Sequence, residues 1–535
     1  MVIKKTTLSV GVSLLFMAST VTAAESIKTL KVCTEASPDG FDYSLYHANS
    51  TADASSEALY NRLVEFKPGT TELRPALADS WDISADGKTY TFHLHKDVQF
   101  HTTSWFKPTR PMNAEDVVYS LQRQIDPNNR WYKTATQGWF YAQAMDFKSL
   151  IKSVTAVDDR TVKIELNHPE SPFLADLAMG FTSIMSREYA TQLEKSNNLR
   201  DMDLKPVGTG PFVFKRYAKD QMIRYEANQT YFRGKPKIDQ LIFSIATDAS
   251  VRLQRLKAGE CDVMLYPNPQ DWKSIENDSK LNLIKGQALT SSYLQVNTQK
   301  PPLDNKLVRQ ALALAVDRKN MVKVITADAA APSVNPYPES QWSYNADIKP
   351  FDLDIVQAKK LLAQAGYPNG FNMEIWARPG TSGANPNPKL TAEMLQADYK
   401  EIGVNVEVKT IEWGELLRRA RNGEHTAVIL GWSSDNGDPD NFLSNNLSCA
   451  GLADGGNFSR WCQKDFDQLL KDARIESNTE KRTALYKQAQ EIFHEELPWI
   501  PLFHPLNALA TNKKVTGIVA SPLTLNNYAD ADITQ

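Results

Sequence analysis

An excess of charge of either sign is missing from this chain. Its 60 Lys+Arg and 63 Asp+Glu nearly cancel, leaving −3 over 535 residues. It therefore offers neither the broadly basic surface that nucleic acid requires nor a polybasic membrane anchor, and no nucleic-acid partner is expected. No run of the roughly 20 apolar residues that a membrane-spanning helix needs occurs anywhere. The signatures of several enzyme classes are missing too. There is no Gly-x-x-x-x-Gly-Lys-Ser/Thr phosphate loop, and Gly208-Thr209-Gly210-Pro211 has neither a third glycine nor a following helix. No Gly-x-Ser-x-Gly elbow and no His-Glu-x-x-His helix appear, and no nucleophile and base can be paired to make an exported hydrolase. The chain reads as non-enzymatic. Histidine is scarce, at 8 residues. His93 and His95 lie two apart on one strand face with His101 following, a spacing open to a metal. Tyr90, Phe92 and Leu94 take the opposite face, so the alternation favours a solvated strand face, and neither metal nor cofactor is expected.

What is present is ordinary soluble composition, with 42% hydrophobic, 23% charged and 10% aromatic residues, far from the polar, aromatic-poor pattern of disorder. A chain of 535 residues exceeds the size at which a single core keeps growing, so two or more lobes are expected. The N-terminus carries Lys4-Lys5, an apolar stretch from Leu8 to Val21, and Val21-Thr22-Ala23-Ala24. This is the layout of a cleaved signal peptide over residues 1–23, and it places the mature chain outside the cytoplasm. No cysteine near the cleavage site supports a lipid anchor. In such a compartment four cysteines, Cys33, Cys261, Cys449 and Cys462, read as disulfides. A bridge from Cys449 to Cys462 would close a Gly-rich loop of roughly 14 residues, worth about 3 kcal/mol in the loop-entropy model. Cys33 and Cys261 would then form the other pair.

Strand signals dominate the N-terminal region, at Thr29 to Cys33 and at Thr89 to Leu94, the latter strictly alternating after the turn Ala85-Asp86-Gly87. Asn113 to Leu121 carries a capping residue, an acidic first turn and apolar positions at helical spacing. Further helices are expected at Asn305 to Thr326, Asp354 to Ala365, Lys389 to Ile402, Trp413 to Asn422 and Glu480 to Glu496. Strands are expected at Asn372 to Trp376, Asn405 to Thr410 and Thr426 to Leu430. This alternation indicates an α/β fold. No low-complexity linker and no repeat separates the lobes, so they should be interwoven. The carboxylates of Asp435-Asn436-Gly437-Asp438-Pro439-Asp440 fit an acid/base pair, a cation loop or a plain turn. The spacing lacks the glutamate that closes an EF-hand, and the Asn, Gly and Pro density suits the turn.

Several separated blocks occur in a shared order. They are Arg74-Pro75-Ala76-Leu77-Ala78-Asp79-Ser80-Trp81, Asp86-Gly87-Lys88-Thr89-Tyr90-Thr91-Phe92-His93-Leu94, Met112-Asn113-Ala114-Glu115-Asp116-Val117-Val118 and Pro206-Val207-Gly208-Thr209-Gly210-Pro211-Phe212. Gly259-Glu260-Cys261-Asp262-Val263, Val308-Arg309-Gln310-Ala311-Leu312 and the segment from Gly431 to Asp440 continue the series. Together they resemble the peptide/nickel family of ABC-transporter solute-binding proteins over nearly all of the chain after the signal peptide. Within that family the likeness is greatest to periplasmic dipeptide-binding proteins. That likeness pairs Cys33 with Cys261 and Cys449 with Cys462. The segments Phe100 to Arg110 and Lys300-Pro301-Pro302-Leu303 also resemble the binding component of the antimicrobial-peptide (Sap) transporters.

The resemblance implies a two-lobe periplasmic-binding-protein clamshell of type II, in the large peptide-binding cluster. Residues 24–287 plus 508–535 would form lobe I and residues 288–507 lobe II. A short, dipeptide-like ligand would lie in the cleft, bonded through its main chain, and closure would present the complex to permease subunits in the inner membrane. A monomer without cofactor is implied. Asp435 stands where the family's carboxylate holds the ligand's ammonium, and a charged ammonium leaving water needs such a partner. Gly431, Trp432 and Ser433 precede it on the same loop, and Trp413 resembles a cleft tryptophan. Asn49, Ser50 and Tyr141 fall in segments that face the cleft in relatives. One position departs from the pattern. Dipeptide binders hold the ligand's carboxylate with an arginine between a Trp-Ala pair, here Trp376-Ala377, and an Asn-Pro, here Asn385-Pro386. This sequence has Ser382 at that place, with Arg378 four residues away. A longer peptide, glutathione, haem or a cationic antimicrobial peptide are the alternatives this departure leaves.

Overall fold

The computed structural model describes residues 27–380, 382–452 and 456–534, together with Met1 and Val2. The signal-peptide reading falls on residues outside the described ones.

Two hydrophobic cores account for the two lobes. The first is built from residues between Leu30 and Leu265 together with Leu509 to Ile533. The second lies on both faces of a sheet formed by later residues. Leu294, Val296, Ile375 and Ile500 fill one side; Tyr293, Trp376, Phe442 and Trp499 fill the other. Strand Thr290–Val296 is buried along its whole length, and its alternate residues feed the two sides. Tyr293 stacks on Trp499 with ring centroids 4.1 Å apart.

One strand joins the lobes. Trp499–Asn512 pairs through its first half with Thr290–Val296 and Ala330–Pro332, and through its second half with Leu281–Gln287 and Val263–Leu265. It thereby merges the strands of both lobes into one 12-stranded sheet. The other connection is the short link between strands Leu281–Gln287 and Thr290–Val296. A separate four-stranded antiparallel sheet, Ala78–Ile83, Thr89–Leu94, Thr161–Leu166 and Ile151–Asp158, belongs to the first lobe.

The local signals explain the elements. Thr89–Leu94 is the strand its alternation requires, with Tyr90, Phe92 and Leu94 buried. Helix Ala114–Ile125 follows Asn113, whose N–H donates to the Asp116 carboxylate at 2.9 Å. The single helix expected over Asn305 to Thr326 is in fact two, Lys306–Leu314 and Arg318–Thr326. Asp317 caps the second by accepting from Asn320 N–H at 3.0 Å. The break lets the buried Arg318 guanidinium donate to the Ala313, Phe351 and Pro501 carbonyls. Cys33–Cys261 ties strand Thr29–Thr34 to its parallel neighbour Val263–Leu265, and Cys449–Cys462 closes the loop between helices Pro439–Leu447 and Lys464–Ile475. No helix among the described residues is long and apolar enough to cross a membrane.

Candidate functional site

Both connections between the lobes run under a cavity of about 560 Å³. Ala288 and Thr290 from one connection and Pro505 to Ala508 from the other line it. The first lobe contributes Tyr43, Asn49, Tyr141, Gly180, Tyr266 and Trp272; the second contributes Ser382, Gly383 and Ser433 to Asp435. The volume lies within the range of small-molecule sites, and a cleft floored by hinge strands is a place where ligand and closure are coupled. Gly180 is required where it stands, because a β-carbon there would lie 2.5 Å from Ser56 Oγ and 2.7 Å from the Tyr43 ring.

The Asp435 loop is built by its neighbours. Strand Ala427–Ser433 ends at the cavity, and helix Pro439–Leu447 begins six residues later with Asp438 as its cap. Gly437 has φ +72°, and a β-carbon there would collide with Thr71 at 2.7 Å, so this turn presses against the first lobe. Turn formation is carried by other residues: Asn436 Oδ1 accepts from Asp438 N–H and Asp438 Oδ1 from Asp440 N–H. The three acidic residues then divide. Asp438 is clamped bidentately by Arg482 at 2.9 Å, and Asp440 pairs with Arg474 at 2.6 Å. Among the described residues Asp435 receives only an amide, from Asn441 Nδ2 at 3.1 Å. Asn441 Oδ1 in turn accepts from Asp435 N–H and from Trp432 Nε1, fixing the loop's orientation.

Burial pushes the Asp435 carboxyl up to about 6, against the lowering effect of the Asn441 hydrogen bond. Its charge is felt across the cavity. Tyr141 is raised to about 12, first by burial and next by Asp435, and Tyr43 is raised well above its ordinary value, chiefly by burial. A carboxylate without a cationic partner, set among phenols and small polar groups, suits an incoming ammonium.

Of the residues singled out from sequence, Asn49, Tyr141, Ser433 and Asp435 stand together on the cavity wall, and Ser50, Gly431, Trp432, Trp413 and Arg378 stand outside it. Gly431 sits where a β-carbon would lie 2.2 Å from Ala384, so it serves strand packing. Trp432 turns toward Asn441. Trp413, 39% exposed, opens helix Trp413–Arg421 and carries the Arg378 guanidinium 4.7 Å above its ring. Sequence reasoning missed Tyr266, Trp272, Pro505 to Ala508 and Leu523 to Leu525, all on the wall. The long run of strand-forming residues after Trp499 was the available signal for the connecting strand. His93 and His95 bond Asp82 and Asp79 on the adjacent strand at 2.9 and 2.6 Å, and His101 is buried against the Gly210 carbonyl. No cluster of three or more metal-ligating side chains occurs among the described residues.

The lobes also meet beside the cavity. Asn436 Nδ2 donates to Asp176 at 2.7 Å, Arg474 lies 3.3 Å from Glu170, and Ser171 N–H and Oγ donate to the Arg474 and Glu476 carbonyls. Burial, with Asp438 and Asp440 near both groups, raises Glu170 to about 8 and Asp176 to about 7.

A two-lobed α/β receptor whose hinge strands floor an acidic cavity is the class that this architecture defines. The family model of bacterial extracellular solute-binding proteins, family 5, matches residues 72–454. The chain is 48% identical over 511 residues to di/tripeptide-binding protein 4 of Pseudomonas aeruginosa, covering 95% of this chain and 96% of that protein. Among solved structures, HbpA2 from Haemophilus parasuis superposes with a TM-score of 0.92 at 43% identity, covering 95% of this chain and 100% of the other. The dipeptide-binding protein of Pseudoalteromonas sp. SM9913 in complex with Met-Leu gives a TM-score of 0.77 at 35% identity, with 95% and 100% covered. The chain belongs to the family 5 extracellular solute-binding proteins.

Proposed function

We propose that this protein is a periplasmic receptor that captures short peptides through their free amino termini and delivers them to an ABC importer. The observation that carries the reading is the Asp435 carboxylate, which faces the interlobe cavity with a single amide and, among the described residues, no cationic partner. Asn49, Tyr141 and Ser433 share its wall and supply neutral polar groups for a peptide main chain. The relatives named as di/tripeptide- and dipeptide-binding proteins support the same ligand class. The peptide is released unchanged, and the closed form, with residues 24–287 plus 508–535 as one lobe and 288–507 as the other, is what permease subunits in the inner membrane recognise. The receptor acts as a monomer after removal of residues 1–23.

Haem fits the cavity less well. Its two propionates would add two negative charges beside Asp435, and no His or Cys is among the described lining residues. The test is titration calorimetry on protein freed of ligand by unfolding and refolding. Ala-Ala binds and N-acetyl-Ala-Ala does not. Equal binding of the acetylated peptide overturns the reading.

A further inference from the structure

Asp435 is the only residue bearing a charge at neutral pH among the described residues that line the cavity. A zwitterionic dipeptide held wholly inside would satisfy its ammonium there and leave its carboxylate without a cation. We propose that this site reads the amino terminus of its ligand and is indifferent to the carboxyl terminus, so that peptide amides and peptides extended at their C-terminal end bind as well as free dipeptides. This rests on the receptor reading above.

No cation among the described residues lines the wall. Arg378 stacks on Trp413 outside it, its buried Nε without a hydrogen-bond partner among the described residues. Lys285 lies 6.0 Å from the ring centroid of Trp272 but pairs with Glu276 at 2.8 Å. Arg474 and Arg482 belong to Asp440 and Asp438. The wall segment nearest to supplying a carboxylate partner turns in on itself: Ser382 Oγ donates to the Asn385 carbonyl at 3.2 Å and accepts Asn385 N–H at 3.0 Å, while Ser382 N–H donates to that same carbonyl at 2.9 Å. Next to it, no described residue other than its two chain neighbours lies within 4 Å of the position a β-carbon on Gly383 would take. The wall is therefore open at this point, with room for a chain to continue. Asn507 Nδ2 donates to the Ser521 carbonyl at 2.6 Å, and its Oδ1 is buried without a donor among the described residues, so this side chain brings no charge to the wall. A buried carboxylate with no cation is costly, whereas an amide at the same end is neutral and leaves the Asp435–ammonium pair intact.

The experiment compares Ala-Ala, Ala-Ala amide, Ala-Ala-Ala amide and N-acetyl-Ala-Ala by calorimetry on the refolded full chain at pH 7.5. Both amides are expected to bind within about threefold of Ala-Ala or more tightly, well under one tenfold step of affinity. An amide weaker by about 30-fold while Ala-Ala binds overturns this proposal and leaves the receptor reading standing. Loss of binding for acid and amide alike, or full binding of the acetylated peptide, overturns both. Ser382→Arg gives the reciprocal arm, because it puts a guanidinium at the open wall. It should favour Ala-Ala over its amide by about tenfold. An unchanged preference in that variant, with ligand still bound, contradicts the claim that the wall lacks only a cation.

Discussion

Asp435→Asn removes one charge while keeping the side chain's size and its capacity to accept from Asn441. In the fold the carboxyl stands at about 6 against an ordinary aspartate value of 3.8. At about 1.36 kcal/mol per unit, holding it ionised at pH 7.5 costs the folded protein at most about 3 kcal/mol, reduced by whatever water reaches it through the cleft. An ammonium placed against it removes that cost and adds a charge-assisted pair. Losing such a partner weakens binding by about 2–5 kcal/mol, or about 30-fold to several thousand-fold in Kd. Two observables should therefore move in opposite directions: affinity for Ala-Ala collapses, and the ligand-free protein melts at a higher temperature than wild type. The stability gain also has a pH signature. A carboxyl raised in the fold destabilises above its folded value, and the penalty disappears as pH falls through about 6 toward the unfolded value. The two proteins should thus melt nearly alike near pH 4, diverge between about pH 4 and pH 6, and stay apart by a near-constant margin above pH 6. Calorimetric titration and thermal unfolding from pH 4 to 8 measure both. Wild-type affinity in the variant, or a lower melting temperature at pH 7.5, refutes the account of Asp435 as an unpaired binding charge.

Peptide affinity in wild type should fall about tenfold per pH unit below about 6, where Asp435 takes up its proton; fluorescence titration across pH 4.5–7.5 reads this limb, and a flat profile contradicts it. Asn441→Ala removes the hydrogen bond that lowers the Asp435 value, so the same limb should move to higher pH with the fold retained. In the contact between the lobes Glu170 stands at about 8 and Asp176 at about 7, both raised from ordinary carboxyl values by burial, so formation of that contact on ligand binding should take up protons at pH 7. Calorimetry in buffers of different ionisation enthalpy measures the uptake, and Glu170→Gln should reduce it. Replacing Cys449 and Cys462 together by Ser should lower stability by about 3 kcal/mol and speed ligand loss, because the closed loop follows the helix that starts at Asp438; equal ligand retention contradicts that coupling.

The fold was legible wherever short-range pattern and burial agree. Thr89–Leu94, Asn372–Ala377 and Asn405–Thr410 show the β-branched or alternating residues that a half-buried strand demands. Residues 305–326 misled because Ala315, Val316 and Arg318 look helical one by one, and only the Asp317 cap and the destination of the Arg318 guanidinium show the break. The site was half legible. Asp435 stands in a conspicuous acidic turn, but sequence could not say which of its three aspartates lacks a partner, since Arg474 and Arg482 come from helices later in the chain. Gly431 and Trp432 lie beside Asp435 in sequence yet face strand and helix packing. Tyr266, Trp272 and Leu523 to Leu525 reach the cavity only through the crossing strand and the return of the C-terminus to the first lobe, which are long-range events with no local mark.

The cleft is proposed to hold free-amine peptides. Native mass spectrometry of the mature protein as purified, followed by denaturation and identification of what is released, tests it directly. A set of short peptides of more than one length, all with unblocked amino termini, is expected. Release of haem, or of ligands whose amino group is blocked, would contradict it.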